Sequence, residues 1–273
     1  MPDLKKILKE SSEVIDKQLE LYLPAGKGYP PQLYEALRYS IFSGGKRIRP
    51  VLCLAASRLC NGKDEDVLPV ACAIELIHTY SLIHDDLPAM DNDDMRRGKP
   101  ASHKKYGEAV AILAGDALLT LAFELICSGE ADLKKSAICL ELAQAAGKDN
   151  LIGGQVMDIM YENKELDLPT LEYIHAHKTG ALIAVSTKAG AIAAGAGEEE
   201  VKRLYNYGEY LGFVFQLTDD LLDGEGYCRI LSPHEIRQKA ADLVDKAKEE
   251  LSCFKDEAWA LRDLADYILN RKY

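Results

Sequence analysis

Two groups of aspartates in the sequence could bind divalent metal ions. The first group follows a long apolar run and comprises Asp85, Asp86, Asp91, Asp93 and Asp94. Pro88 disfavours helical geometry at the preceding residue, so we expect a helix to end there and the loop beyond it to bring Asp91 towards Asp85. Helix end and loop could then converge on one ion. A solvated acidic loop would have the same composition, and a second acidic site is needed to decide between the two interpretations.

The second group consists of Asp219, Asp220 and Asp223, which again follow an apolar stretch of helical spacing. Asp219 and Asp223 are four residues apart and therefore share one face of a helix. Carboxylate oxygens are hard ligands, and Mg²⁺ typically takes one or two carboxylates together with waters and phosphate oxygens. Two acidic groups on separate helices therefore predict Mg²⁺ ions bound around a phosphorylated ligand.

Two basic segments stand out in an otherwise acidic chain. Their members are Lys46, Arg47, Arg49, Arg96, Arg97 and Lys99. Arginine matches phosphate oxygens bidentately, whereas lysine supplies a point charge. These side chains could bind the phosphate groups of the ligand, or they could form surface ion pairs with neighbouring acids.

Long segments with apolar residues at helical spacing, separated by short breaks of Gly, Pro, Asn and Asp, must position these groups. We predict about ten helices and find no competing strand pattern. Ser232, Pro233 and Glu235 form a capping box that marks one helix start. The predicted helices cover 3–22, the segment between the 24–31 loop and Gly44, a segment ending at 61, 64–86, 108–127, 131–146, 149–162, 170–190, 199–223, a segment from 233, and 256–270. The sequence therefore predicts one all-α domain over residues 1–273.

The composition excludes several classes of function. The chain has 33 basic and 44 acidic residues and a net charge of −11, whereas nucleic-acid binding depends on clustered Lys and Arg, so we expect no nucleic-acid partner. The 7 cysteines include no CxxC pair, which favours a reducing compartment. No signal peptide is apparent, and no uncharged run reaches the ~18 residues of a spanning helix. We therefore expect a cytoplasmic protein without a membrane span.

Five motifs, in this order along the chain, resemble those of the trans-isoprenyl diphosphate synthases, the polyprenyl synthetase family. They are Gly44 to Pro50, His78 to Pro100, Gly153 to Asp158, Lys178 to Gly180, and Phe215 to Asp220. The resemblance covers roughly residues 30–270, and it is strongest to the bacterial-type farnesyl diphosphate synthases, or geranyltranstransferases. It implies an isoprenoid-synthase-type helical bundle around a central cavity, a homodimer, and head-to-tail prenyl transfer from allylic diphosphates to isopentenyl diphosphate.

The resemblance also implies a role for each matching position. Mg²⁺ would be bound by Asp85, Asp86, Asp91, Asp219, Asp220 and Asp223. The allylic diphosphate would face Arg96, Lys178, Thr179 and Gln216, which act in catalysis together with Asp85, Asp86, Asp91 and Asp219. Isopentenyl diphosphate would be held by Lys46, Arg49, His78 and Arg97. Ionisation of the allylic substrate, condensation and elimination follow one another, and the departing diphosphate takes the proton.

Tyr80 is the predicted determinant of product length. It lies five residues before Asp85, a little over one helical turn deeper in the cavity. In the family that the sequence resembles, an aromatic residue at this position is typical of enzymes with a fifteen-carbon product. We therefore expect this protein to make farnesyl diphosphate from dimethylallyl and geranyl diphosphates. The alternatives are that Tyr80 is an ordinary core aromatic, and that the product is geranylgeranyl diphosphate.

The sequence departs from the family pattern after Asp223. A longer loop with Gly and Lys residues normally follows, whereas here Gly224, Glu225 and Gly226 lead directly to Tyr227. A lysine expected near the allylic diphosphate and part of a closing lid are therefore missing, and Arg229 is the candidate substitute. The departure motivates another hypothesis, a non-catalytic subunit of a prenyltransferase complex, although the intact aspartate and basic motifs argue against it. A terpene cyclase would leave the second set of basic motifs unused.

Overall fold

The structure, a computed structural model, describes residues 4–130, 132–162 and 164–271. Within these ranges helices joined by turns and loops make up the fold, and the strands are one hairpin of two short strands, β1 (Met95–Arg96) and β2 (Lys99–Pro100). The predicted all-α class is confirmed. The helices are α1 (Leu4–Tyr22), α2 (Pro31–Ile41), α3 (Ile48–Leu59), α4 (Asp64–Asp85), α5 (Ser102–Tyr106), α6 (Glu108–Cys127), α7 (Leu133–Ala146), α8 (Leu151–Tyr161), α9 (Leu168–Ile174), α10 (Ala181–Ala194), α11 (Glu198–Asp223), α12 (Pro233–Glu250) and α13 (Trp259–Leu269).

Most predicted helices agree with the structure, and the differences have local causes. The predicted start at residue 3 and the first position of the 131–146 helix lie outside the described residues. The side chain of Asp132 accepts a hydrogen bond from the Lys134 N–H and caps α7, which begins at Leu133. The predicted 170–190 helix is α9 and α10 joined by a π-helical turn, His175–Gly180. The hairpin and α5 were not predicted, because elements of two to five residues are too short to have a hydrophobic period.

Helix α4 lies at the centre of the fold and carries the first aspartate group at its end. It packs against α3, α6 and α10, and α10 in turn packs against α3, α7 and α11. Because its apolar residues occupy all faces, α4 is buried by neighbours all round rather than along one stripe. A second set of apolar contacts joins α11, α12 and α13. That these layers form a single domain over residues 1–273 stays a prediction.

Two helices, α4 and α6, are long and apolar enough to cross a membrane by length and composition alone. In α4, 67% of the apolar window is buried inside the protein, and in α6 the fraction is 39%. A core helix meets the same criteria, and the place of α4 in the core accounts for its composition. The absence of a membrane span stays a prediction.

Candidate active site

The end of α4 and the loop after it fold back on each other. Asp85 is the last residue of α4, and the backbone N–H of Asp91 donates a hydrogen bond to the Asp85 carbonyl oxygen, with an N···O distance of 2.8 Å. The N–H of Asn92 donates to the Leu87 carbonyl oxygen at 3.1 Å. Helix end and loop therefore converge as the position of Pro88 predicted.

Burial makes this first aspartate group unfavourable without a cation. Burial, helped by the charge of Asp91, raises the pKa of Asp85 to about 6 against the lowering effect of Lys178. Burial likewise raises the pKa of Asp91 and of Asp86, in each case more than the neighbouring cations lower it. Bringing a divalent cation to these carboxylates would favour their ionised forms.

Arg96 is paired with Asp86 rather than directed at an open site. Its Nε donates to Asp86 Oδ1 at 2.8 Å, and its Nη2 contacts Asp86 and also Asp93, the latter at 3.0 Å. Arg97, the next residue of the hairpin, donates to the Gly44 carbonyl oxygen. The hairpin therefore brings the two basic segments together, a contact that the sequence alone did not indicate.

The second aspartate group splits into two parts with different surroundings. Asp219 pairs with Arg271, with an Nη2 to Oδ1 distance of 2.6 Å. Asp220 is buried, and its Oδ2 accepts the Tyr227 N–H at 2.7 Å and lies 3.8 Å from His175 Nε2. Burial raises the pKa of Asp220 to about 6. Asp220, predicted as a metal ligand, thus has an internal partner and anchors the turn that follows α11.

The short connection after Asp223 depends on this anchor. Gly226 has φ +48°, and a Cβ at this position would collide with the Asp220 carboxylate. The chain then forms a 3₁₀ turn, Gly226–Arg229, whose first buried residue is Tyr227. A glycine is therefore required here for both its conformation and its lack of a side chain.

Lys178 and Thr179 lie in the π-helical turn and face the first aspartate group. Lys178 Nζ is 2.6 Å from Asp158 Oδ2, and the charges of Asp85 and Asp91 also help raise the Lys178 pKa against the effect of burial. Asp158 was not assigned a role from sequence. The sequence feature that could have identified Asp158 is that it is the one charged residue in α8. The close approach of α8 to Lys178 requires Gly154, since a Cβ there would collide with the Lys178 backbone nitrogen.

Beside Asp85, a small cavity of about 90 Å³ joins residues predicted for both substrates. It is lined by Arg49, His78, Ser81, Leu82, Asp85, Leu151, Gln155, Lys178, Thr179 and Leu182. Lys46 and Gln216 are not among its lining residues. Gln216 precedes Asp219 by three residues on the same face of α11, and Lys46 is exposed at the loop before α3.

A buried arginine supports the basic side of this cavity. Arg47 is the residue before α3, and it donates to Glu75 Oε1 at 2.6 Å, to Asp16 Oδ1 at 2.9 Å and to the Ile41 carbonyl oxygen at 2.6 Å. Neither acid was predicted as a site residue. The signal for Glu75 was a lone acid within the apolar run of α4.

Arg49 and His78 make up the other wall of the cavity. Arg49 Nη1 lies 3.5 Å from His78 Nε2. Burial lowers the pKa of Arg49 to about 10, and burial together with Arg49 lowers the pKa of His78 well below its usual value. His78 is therefore neutral at pH 7, and the positive charge of this wall resides on arginine.

Tyr80 is buried in the main core, with 5% of its surface exposed. Its ring makes an edge contact with His84 at a centroid distance of 5.8 Å, and burial raises its pKa to about 12. Among the described residues its hydroxyl has no hydrogen-bond partner. It does not line the small cavity beside Asp85.

The carboxylates described above fit a magnesium site that is completed by substrate. Within the described ranges, no three Asp, Glu, His or Cys side chains are close enough to hold a metal ion by themselves. Mg²⁺ is usually bound by one or two carboxylates plus waters and substrate phosphates rather than by an all-protein cage, so oxygen donors at two helix ends suit this ion.

Known proteins resemble this chain in both sequence and fold. The chain matches the Polyprenyl synthetase family over residues 30–234. It is 49% identical over 228 residues to a farnesyl diphosphate synthase of Geobacillus stearothermophilus, and the alignment covers 82% of this chain and 76% of that relative. It is 43% identical over 287 residues to a geranylgeranyl diphosphate synthase of Cyanophora paradoxa, and the alignment covers 97% of this chain and 95% of that relative. An FPP/GFPP synthase structure from Zymomonas mobilis superposes with a TM-score of 0.92 at 41% identity, covering 97% of this chain and 98% of that one.

The all-helical fold and the paired aspartate groups define a prenyltransferase of the trans type. The chain belongs to the polyprenyl synthetase family.

Proposed function

We propose that this protein is a Mg²⁺-dependent farnesyl diphosphate synthase, which condenses isopentenyl diphosphate with dimethylallyl and geranyl diphosphates. The observation that carries the proposal is the buried ring of Tyr80, five residues before Asp85 and therefore about 7.5 Å deeper along α4. A ring at that depth would stop a growing chain. The name of the Geobacillus stearothermophilus relative supports the same product.

Mg²⁺ would be held by Asp85, Asp91 and Asp219, with Asp86 and Asp223 completing the two groups. When bound, it would supply positive charge that stabilises the diphosphate leaving group. Asp220 contributes to the same site by anchoring the turn after α11.

The chain's own cations would orient the two substrates. Lys178 and Arg96 would face the allylic diphosphate, and Arg49, His78, Lys46 and Arg97 the diphosphate of isopentenyl diphosphate. The allylic carbon–oxygen bond breaks and its electron pair leaves with the diphosphate. The double bond of isopentenyl diphosphate then forms the new carbon–carbon bond, and the departing diphosphate accepts the proton, so no protein base is required.

Positioning is the second contribution of the site. Holding both substrates in one orientation can contribute up to about 7–11 kcal/mol in well-oriented systems. The oxygens of Thr179 and Gln216 would direct their dipoles towards the cation. The apolar side chains of Leu82, Leu151 and Leu182 would exclude water from it.

Two other functions have specific observations in their favour. The Cyanophora paradoxa relative is named a geranylgeranyl diphosphate synthase, and this product would require the chain to pass Tyr80. The short connection after Asp223 favours a non-catalytic subunit, since a cation expected there is missing and Arg229 is the one arginine in the turn.

We also propose that the protein is a cytoplasmic homodimer. All seven cysteines are free thiols, and two of them, Cys127 and Cys139, remain unbonded with their sulfurs 3.3 Å apart, which suits a reducing compartment. Large apolar side chains are exposed on α6 and α7, namely Ile112, Leu113 and Leu140, and a second copy could cover them. Analytical ultracentrifugation would give twice the chain mass if this is correct.

The test of function is turnover by the purified chain. It is incubated with isopentenyl diphosphate, dimethylallyl diphosphate and Mg²⁺, with a chelator control, and the products are separated by chain length. A dominant fifteen-carbon product that disappears with chelator is expected. A twenty-carbon product would retain prenyl transfer but reject Tyr80 as the limit, and no product would favour the non-catalytic subunit.

A further inference from the structure

Gln155 carries a buried amide with no partner, directed into the cavity beside Asp85. Only 7% of its surface is exposed, and neither its Oε1 nor its Nε2 has a hydrogen-bond partner among the described residues. Burying an amide without partners costs stability, because its hydrogen bonds to water are lost and not replaced. An amide retained in such a place is suited to a ligand that brings the missing partners.

The surroundings of Gln155 fix its position. It follows Gly154, where α8 lies against the Lys178 backbone, and it shares the cavity with Leu151 of the same helix. Gln155 shares this cavity with residues of two groups. Arg49 and His78 belong to the wall proposed for isopentenyl diphosphate, and Lys178 belongs to the wall proposed for the allylic diphosphate.

The junction of these two walls is where the new carbon–carbon bond would form. The cavity already contains cations for diphosphate oxygens, whereas a neutral group with both a donor and an acceptor is suited to the reacting atoms themselves. A carboxylate close to an allylic cation could capture it as an ester. An amide oxygen stabilises the same charge through its dipole and is a weaker nucleophile.

We propose that Gln155 is a catalytic residue that contacts the allylic substrate, with its amide oxygen facing the allylic carbon and its amide N–H donating to an oxygen of the departing diphosphate. The inference rests on the proposed prenyl transfer. As the carbon–oxygen bond breaks, positive charge grows on the carbon and negative charge on the leaving oxygen, and the two ends of one amide stabilise the two charges. Because no partner holds the amide beforehand, it can turn to meet them.

The experiment compares the wild type with Gln155→Met, which keeps length and flexibility but removes the amide. The kcat of Gln155→Met is expected to fall by about 10- to 100-fold, the range for losing one hydrogen bond to a charged group. Its melting temperature without ligands should equal or exceed that of the wild type, because an unpartnered polar group has been removed. A merely structural role would give the opposite pair of results.

Two further variants sharpen the result. Gln155→Asn keeps an amide one methylene further back and should recover part of the lost kcat. Ser57→Ala removes a different buried polar group, a hydroxyl without a partner among the described residues. Ser57 lies eight positions from Arg49 and about 12 Å along α3, so this change should leave kcat unchanged.

The possible outcomes separate the two proposals. If the wild type turns over and Gln155→Met has a kcat within about threefold of it, the role of Gln155 is overturned and the proposed function stands. A melting temperature that falls while kcat is unchanged would likewise overturn it. A wild type without any turnover would overturn the proposed function itself, and with it the role of Gln155.

Discussion

Replacing Glu75 by glutamine should remove the buried acid paired with Arg47 and leave the half-exposed Asp16 as its remaining partner. The two side chains are 2% and 3% exposed, and Arg47 Nη1 lies 2.6 Å from Glu75 Oε1. Removing one partner of a buried ion pair costs about 3–5 kcal/mol. An unfolding entropy of ~2.1 cal/mol/K per residue gives ~0.57 kcal/mol/K for 273 residues. The melting temperature should therefore fall by about 5–9 °C, as measured by calorimetry.

The same substitution should also change substrate binding. Arg47 precedes α3 and lies between Lys46 and Arg49, so losing its anchor displaces both. Glu75 also favours the charged forms of Arg49 and Arg97. We expect the KM for isopentenyl diphosphate to rise several-fold, with a smaller change in kcat, when this substrate is varied at saturating geranyl diphosphate.

Asp16, the second acid paired with Arg47, provides a matched control. The Asp16 side chain is 46% exposed, so Asp16→Asn should cost less than ~1 kcal/mol. A double variant, Arg47→Met with Glu75→Leu, should recover stability because no buried charge remains, yet should not restore the KM. The reasoning is wrong if Glu75→Gln lowers the melting temperature no more than Asp16→Asn does.

Three other predictions concern Tyr80 and the aspartate groups. Tyr80→Ala should shift the product from fifteen to twenty carbons, because burying five additional carbons contributes about 4 kcal/mol at ~0.8 kcal/mol each. An unchanged product in chromatography would show that Tyr80 does not limit the chain length. Arg271→Ala removes the cation paired with Asp219 and should lower the Mg²⁺ concentration for half-maximal activity; an equal or higher requirement contradicts competition between them. Burial raises the Asp85 pKa from 3.8 to about 6. Between these pH values the metal-free folded protein therefore binds a proton that the unfolded chain has lost. The contribution of Asp85 to the stability of the metal-free protein thus decreases as pH rises through this range. Mg²⁺ needs the ionised carboxylate and should therefore raise the melting temperature more at pH 7 than at pH 5, and equal shifts would refute this.

Local signals in the sequence predicted the elements that local interactions determine. Ser232 and Glu235 form the expected capping box, in which the Ser232 N–H donates to Glu235 Oε2 at 2.8 Å. Likewise, α4 ends before Pro88, and the loop returns Asp91 to the helix end. These features depend on residues within a few positions of one another, which is the range that capping and proline rules cover.

Contacts between distant segments could not be predicted in this way. Lys178 and Asp158 are 20 residues apart and meet because α8 packs on the π-helical turn. The pairing of Asp219 with Arg271 depends on where α13 places the end of the described chain. Charge and spacing identified which residues could act, whereas packing determines which of them are already paired.

The turn after α11 also has a mechanical consequence. Asp220 is tied to the Tyr227 backbone, and Tyr227 is fully buried in an apolar cluster with α12 residues such as Ile236 and Ala240. The helix end that carries Asp219 and Asp223 is thus clamped to the protein interior through one carboxylate. The first aspartate group instead begins at the end of α4 and continues on a loop that leads into the hairpin of β1 and β2. We therefore expect the loop to move when substrates of different length bind, while the end of α11 stays in place.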